Sequence, residues 1–129
     1  MRREMAGFTL IELLIVVVII GLLAGIALPK LLSTRNKAIV ASLKSDLRNL
    51  ATSQEAYWND NATYYSGSVP GAGLTFQPST TVTVTITDAT TSGWGATAAS
   101  PAAPQTCAVY FGSVSPPSPA VAEGKINCQ

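Results

Sequence analysis

One acid stands alone in an apolar run. Glu12 lies within Gly7-Phe8-Thr9-Leu10-Ile11-Glu12-Leu13-Leu14, and no other charged residue occurs from Phe8 to Leu28. A carboxylate at the centre of a membrane helix costs about 2.5–3.5 kcal/mol on insertion scales, and less near the helix end. Glu12 sits near the end of the run. Either a cation or interfacial water reached by snorkelling has to offset the remaining cost. That chemistry is recognition rather than turnover. The chain has no His, which removes the commonest general base and the commonest metal ligand. No nucleophile–base pair stands out, and Gly71-Ala72-Gly73 is too short for a nucleotide fingerprint. After Asp88 the only acid is Glu123, short of the clustered oxygen ligands a calcium site needs. Neither an enzyme nor a cofactor is expected.

The element that must carry Glu12 is a helix. The run from Phe8 to Leu28 is apolar on all faces, as a buried or membrane helix should be. Its length, at roughly 1.5 Å per residue, matches a bilayer core of about 30 Å. Gly21 and Gly25 share one face at a spacing that permits close helix packing, although Gly is also simply common in membrane helices. Pro29 removes a backbone donor and should kink the helix or mark a weak point. Over 30–58, Leu32, Ile39, Leu43, Leu47, Leu50 and Tyr57 recur at helical spacing, with Lys37, Lys44, Asp46, Arg48 and Glu55 between them. The stripe predicts an amphipathic continuation packed on the chain's own sheet.

The N-terminus resembles that of a type IV prepilin. The family's processing signature is a short basic leader ending in Gly, then Phe-Thr-Leu-Ile-Glu, then an apolar helix. Here it reads Gly7-Phe8-Thr9-Leu10-Ile11-Glu12. Type II secretion pseudopilins and competence pilins share this signature, so it marks the superfamily and not the member. The resemblance covers about the first 55 residues strongly.

The resemblance implies cleavage of the leader 1–7 between Gly7 and Phe8, N-methylation of Phe8, and assembly through Glu12. The amine of Phe8, in the same chain or in a neighbour, would be the cation that Glu12 needs. It also implies that the helix loses structure between Gly21 and Pro29 when a filament forms. The implied partners are other copies of the chain in a helical filament, a prepilin peptidase and N-methyltransferase, the inner-membrane pilus assembly machinery, and membrane lipid before assembly. The implied location is the bacterial inner membrane as a single pass, then the extracellular pilus. An ordinary secretory peptide places its apolar region before the cleavage site; here it follows.

The resemblance also implies the overall fold, an α+β pilin fold with a long N-terminal helix packed on a small antiparallel sheet. The residues independently suggest the sheet. Thr81-Val82-Thr83-Val84-Thr85-Ile86-Thr87 alternates with a period of two, as a half-buried strand does. Asp88 to Ser92 supplies a turn. Trp94–Ala98 and Cys107–Phe111 read as further strands of an antiparallel meander, and Leu74-Thr75-Phe76 as a short edge strand. The region 59–73 reads as loop, with Asn59-Asp60-Asn61 ending the helix and Asn61-Ala62-Thr63 forming a weak glycosylation sequon. Tyr57, Trp58, Tyr64 and Tyr65 cluster as packing rather than as an electron path.

Cys107 and Cys128 are the only cysteines. On a chain with an exported soluble part they are most simply a disulfide, with two independent buried thiols as the alternative. Ala120 to Cys128 would return to the sheet edge. Ser115-Pro116-Pro117-Ser118-Pro119 would then form an exposed, disulfide-bounded loop. The domains expected are therefore 1–7 leader, 8–28 membrane or filament-core helix, 29–58 amphipathic helix, and 59–129 loop, sheet and C-terminal loop.

The 129 residues are 47% hydrophobic and 12% charged, with a net charge of +1. Removing the leader leaves six basic and six acidic side chains. A neutral chain offers no global case for nucleic acid, which enters only at the level of an assembled filament. Arg2 and Arg3 suit a cytoplasmic leader, but Lys30, Arg35 and Lys37 compete with that orientation. The expected function is a structural pilus subunit for attachment, motility or DNA uptake. The rival is a type II secretion pseudopilin in a short periplasmic filament. A singly anchored binding protein would gain nothing from Glu12.

Overall fold

The computed structural model describes residues 7–129. The leader expected at 1–7 lies outside the described residues except for Gly7. One helix and four strands follow one another: α1 (Leu10–Asn61), β1 (Thr83–Ala89), β2 (Gly93–Ser100), β3 (Ala103–Gly112) and β4 (Asn127–Cys128). The chain divides after Arg35 into two compact units.

In the first unit the helix carries no internal core. From Phe8 to Leu32 its large apolar side chains are exposed, from 84% at Phe8 to 45% at Val16. It is long and apolar enough to cross a membrane. The helix runs unbroken across Gly21 and Pro29. Pro29 has no N–H, so the carbonyl of Gly25 lacks its usual donor four residues on.

In the second unit the rest of α1 packs on an antiparallel sheet of order β1-β2-β3-β4. Each strand pairs with the next in sequence, which is the expected meander. Register aligns the core face in rows. Val84, Ala98 and Cys107 lie side by side, as do Ile86, Ala96 and Val109, and Trp94 faces Phe111. Alanines on the central strand leave room for the helix. Leu43, Leu47 and Leu50 fill it, each fully buried. Full burial of one such side chain contributes about 1.5–3 kcal/mol. Trp94 stacks on Phe111 with ring centroids 5.3 Å apart. The threonines at 83, 85 and 87 face solvent, as a period of two requires.

Several expectations need correction. Leu32 does not belong to the buried stripe; it is 54% exposed, while Ile39 and Tyr57 are half-buried. Helical spacing identifies a face but not where the sheet beneath it begins. The helix extends to Asn61, three residues past the expected end; in its last turns Asn59 and Asn61 also donate side-chain amides to the carbonyls of Glu55 and Tyr57. Leu74 and Phe76 are buried but form no strand. Phe76 N–H bonds the Leu74 carbonyl, and Leu74 pairs only with Gly71 in a single bridge.

The first strand starts later than expected and ends at Ala89, with a bulge between Ile86 and Asp88. The second and third each extend beyond their expected bounds. The tail does return to the sheet edge, through a β4 of two residues. It is less exposed than expected. Ala120 is buried, and Pro117 lies over Gly95 on the sheet's outer face. A Cβ at Gly95 would meet Pro117 Cδ at 3.2 Å, so the glycine admits the tail.

Candidate functional site

The first residues of α1 make a closed hydrogen-bond unit that sequence reasoning missed. The backbone N–H of Thr9 donates to Glu12 Oε2 at 2.8 Å, and the Thr9 hydroxyl donates to the same oxygen at 2.7 Å. In return Glu12 N–H donates to Thr9 Oγ1 at 3.3 Å. This is a capping box, with Thr9 as N-cap and Glu12 three residues on. The signal was present as Thr-x-x-Glu ahead of an apolar run. Glu12 therefore has a local role independent of any neighbour: it satisfies backbone donors that a helix start leaves free, and its charge suits the positive end of the helix dipole.

The geometry leaves half of the carboxylate unused. Both Thr9 donors converge on Oε2, and among the described residues Oε1 has no donor. Phe8 precedes the N-cap and is 84% exposed. The structure thus brings Gly7, Phe8, Thr9 and Glu12 together at one helix end. Gly21 and Pro29 lie on the same helix but away from that end.

A second set of polar contacts holds the loop between helix and sheet. Gln54 is fully buried. Its Nε2 donates to the Tyr65 carbonyl at 2.9 Å, and its Oε1 accepts from Tyr65 N–H at 2.8 Å. Asp46, also buried, accepts from Ser79 N–H at 2.9 Å and Ser79 Oγ at 3.0 Å. Trp58 Nε1 donates to the Thr91 carbonyl. Tyr57 and Tyr65 meet edge to face at 5.3 Å, so the aromatic cluster is packing, as expected. Tyr64 donates to Glu55 at 3.0 Å. Partial desolvation, then the Glu55 carboxylate, raise the Tyr64 hydroxyl above its ordinary value of 10.0. Gln54 was detectable in the sequence, since it falls four residues after Leu50 on the buried stripe.

Cys107 and Cys128 are bonded, with Cα atoms 4.0 Å apart. They are directly opposite on β3 and β4. Thr106 and Gln129, one position outward, exchange both backbone hydrogen bonds. The cysteines therefore occupy the adjacent non-hydrogen-bonded pair, where side chains approach most closely. The tail is also held by Glu123, which accepts from Gly112 N–H at 2.6 Å. Gly112 has φ +70, a conformation open to glycine.

A capped apolar helix, exposed from Phe8 to Leu32 and long enough to cross a membrane, continues into a disulfide-bonded sheet unit; this defines a class of proteins with one membrane-capable N-terminal helix. Residues 2–28 match the prokaryotic N-terminal methylation motif. The chain is 42% identical over 65 residues to type II secretion system core protein G of Pseudomonas aeruginosa, covering 50% of this chain and 46% of that protein. It is 44% identical over 64 residues to the type IV wide pilus major component PilA4 of Thermus thermophilus, covering 50% and 49%. It is 41% identical over 58 residues to the type IV major pilin protein PilA of Myxococcus xanthus, covering 45% and 26%. These matches support a relationship, over the N-terminal half of the chain, to the type IV pilins and to the pseudopilins of type II secretion. The chain spans about half the length, or less, of these curated relatives. Each of these relatives is a component of a secretion system or of a pilus.

Proposed function

We propose that this chain is the structural subunit of a type IV pilus, cleaved after Gly7, methylated at Phe8 and polymerised through its N-terminal helix. The observation that carries the reading is the apolar surface from Phe8 to Leu32, left exposed by the chain's own fold. Water is a poor solvent for such a surface. Lipid covers it in the monomer, and neighbouring helices cover it in the filament.

Glu12 gives the exchange direction. Cleavage creates a positive amine at Phe8, and the unused Oε1 of Glu12 accepts it from a neighbouring copy. That contact offsets the cost of the acid inside a dry core and fixes axial register between subunits. A prepilin peptidase and N-methyltransferase, the inner-membrane assembly machinery and membrane lipid are the partners this reading requires. Gly21 and Pro29 bound the segment where helix gives way on assembly. The subunit resides first in the inner membrane and then in an extracellular filament.

The similarity to core protein G supports a second reading, a pseudopilus subunit in the periplasm. The two readings differ in where the filament lies. Shearing of the producing cells, electron microscopy and mass spectrometry of the main subunit separate them. Surface filaments of a chain beginning at methylated Phe8 are the expected result. Periplasmic retention of the processed chain would transfer the assignment to the pseudopilus, and an unprocessed chain would overturn both.

A further inference from the structure

The charges of the second unit are sorted in a way that its own fold leaves unused. A groove of about 300 Å³ opens between α1, the end of β3 and the turn before β4, and Lys44, Arg48 and Lys125 line it. No acid lines it. Its walls are apolar, with Leu47, Val109 and Ile126 among them. Lys44 and Arg48 are one turn apart on α1, so their side chains lie on one face. Among the described residues these three cations make no ion pair; gathered together, they repel one another and favour an anionic occupant.

The acids are sorted as well. Glu12, Asp46, Glu55 and Glu123 each accept a hydrogen bond from within the chain. Among the described residues, Asp60 and Asp88 have no such donor, and both are exposed. They belong to the same end of the unit. Asp60 is next to the last residue of α1, and Asp88 is two residues before Thr90. Thr90 and Thr91 are tied back to that end by Tyr64 N–H and Trp58 Nε1. Arg48 and Lys44 precede Asp60 by about 18 and 24 Å along the helix at roughly 1.5 Å per residue.

We infer that the Lys44–Arg48–Lys125 groove receives the Asp60–Asp88 end of a second copy of this chain. The two patches differ, so the contact is head to tail. It repeats without closing when the rotation between copies does not complete a ring. A neighbour displaced by about 20 Å along the helix places Asp60 beside Arg48 and Lys44. The contact rests on the filament reading and adds a charge register between sheet-bearing units to the one set by the apolar helices.

The test is a charge swap in the full-length chain, produced in its own host. Arg48→Glu and Asp60→Arg, each alone, place like charges across the contact and are expected to lower sheared filament yield about tenfold or more. Arg48→Glu with Asp60→Arg restores opposite charges and is expected to return yield to within about threefold of wild type. The processed chain in the membrane fraction and an intact disulfide show that each variant folds. Single variants that assemble like wild type would overturn the contact, as would a double variant that fails to recover. Filaments that assemble normally but lose retention of double-stranded DNA in Arg48→Glu would overturn it too, assigning the groove to a polyanion. A wild-type chain that forms no filament refutes the filament reading itself, a result distinct from filaments indifferent to charge.

Discussion

Replacing Glu12 by Gln separates the capping role the structure shows for this residue from the assembly role proposed for it. Glutamine keeps a carbonyl that accepts from Thr9, and Gln serves in a capping box as Glu does. The amide nitrogen then occupies the place of Oε1, the oxygen without a donor. The helix start survives, and a neighbour's amine meets a donor instead of an acceptor. Losing a cap costs about 0.5–2 kcal/mol. Breaking a desolvated ion pair by removing one partner costs about 3–5 kcal/mol, or roughly a hundredfold to a few thousandfold in an equilibrium. The larger effect belongs to the neighbour contact. Glu12→Gln should therefore be processed and inserted normally yet leave almost no sheared filament. Thr9→Val removes the hydroxyl but retains the backbone donor, and should reduce assembly by about fivefold, the equivalent of about 1 kcal/mol. The assay is immunoblotting of sheared and membrane fractions, with the mature mass as a control for cleavage. Wild-type filament levels from Glu12→Gln would refute the paired-charge argument and leave Glu12 a capping residue only.

Other parts of the structure make their own demands. Gln54→Leu strands the N–H and C=O of Tyr65 without their partners and should destabilise the folded sheet unit by about 2–4 kcal/mol. Urea unfolding of the detergent-solubilised chain, followed by Trp94 fluorescence, would show an unchanged midpoint if that reasoning is wrong. Cys107→Ser with Cys128→Ser should cost about 3 kcal/mol, because the bond closes a sequence separation of 21. Loss of amide exchange protection at Thr106 and Gln129 checks whether β4 leaves with it. Tyr64 has a folded-state value raised above its ordinary 10.0. Its linked stability is thus complete below pH about 10 and is lost as pH rises through the higher folded-state value. A Glu55→Gln variant should lose stability less steeply in that alkaline range; identical alkaline unfolding curves would deny the coupling. Gly7→Leu should leave the precursor uncleaved, and a mature mass beginning at Phe8 would count against the processing site.

The legible parts of the fold were those written in periods. A period of two over 81–87 marked β1, and helical spacing marked Leu43, Leu47 and Leu50. Periodicity has no term for where a stripe loses its partner, which is why Leu32 joined the core on paper and solvent in the structure. The loop after the helix was opaque for a different reason. It is placed by single polar side chains, Gln54 on Tyr65 and Asp46 on Ser79. Both fall on the buried face of α1 with Leu43, Leu47 and Leu50, but their spacing does not say which loop groups they meet. The tail followed the same logic: Pro117 read as an exposed turn former, and its seat is the absent side chain of Gly95.

The candidate site was half legible, and the missing half changes its meaning. Glu12 was conspicuous as a charge out of place. Thr9 was not, because a threonine at the edge of an apolar run attracts no notice. Together they form a unit in which one carboxylate oxygen serves the helix and the other has no donor among the described residues. A membrane acid held only by its neighbour would be costly in every unassembled copy. An acid already bonded through Oε2 pays that cost in the monomer and keeps Oε1 available. Under the proposed assembly contact, the capping box would let one residue tolerate lipid and still specify a neighbour, which is what a subunit stored in a membrane and polymerised from it requires.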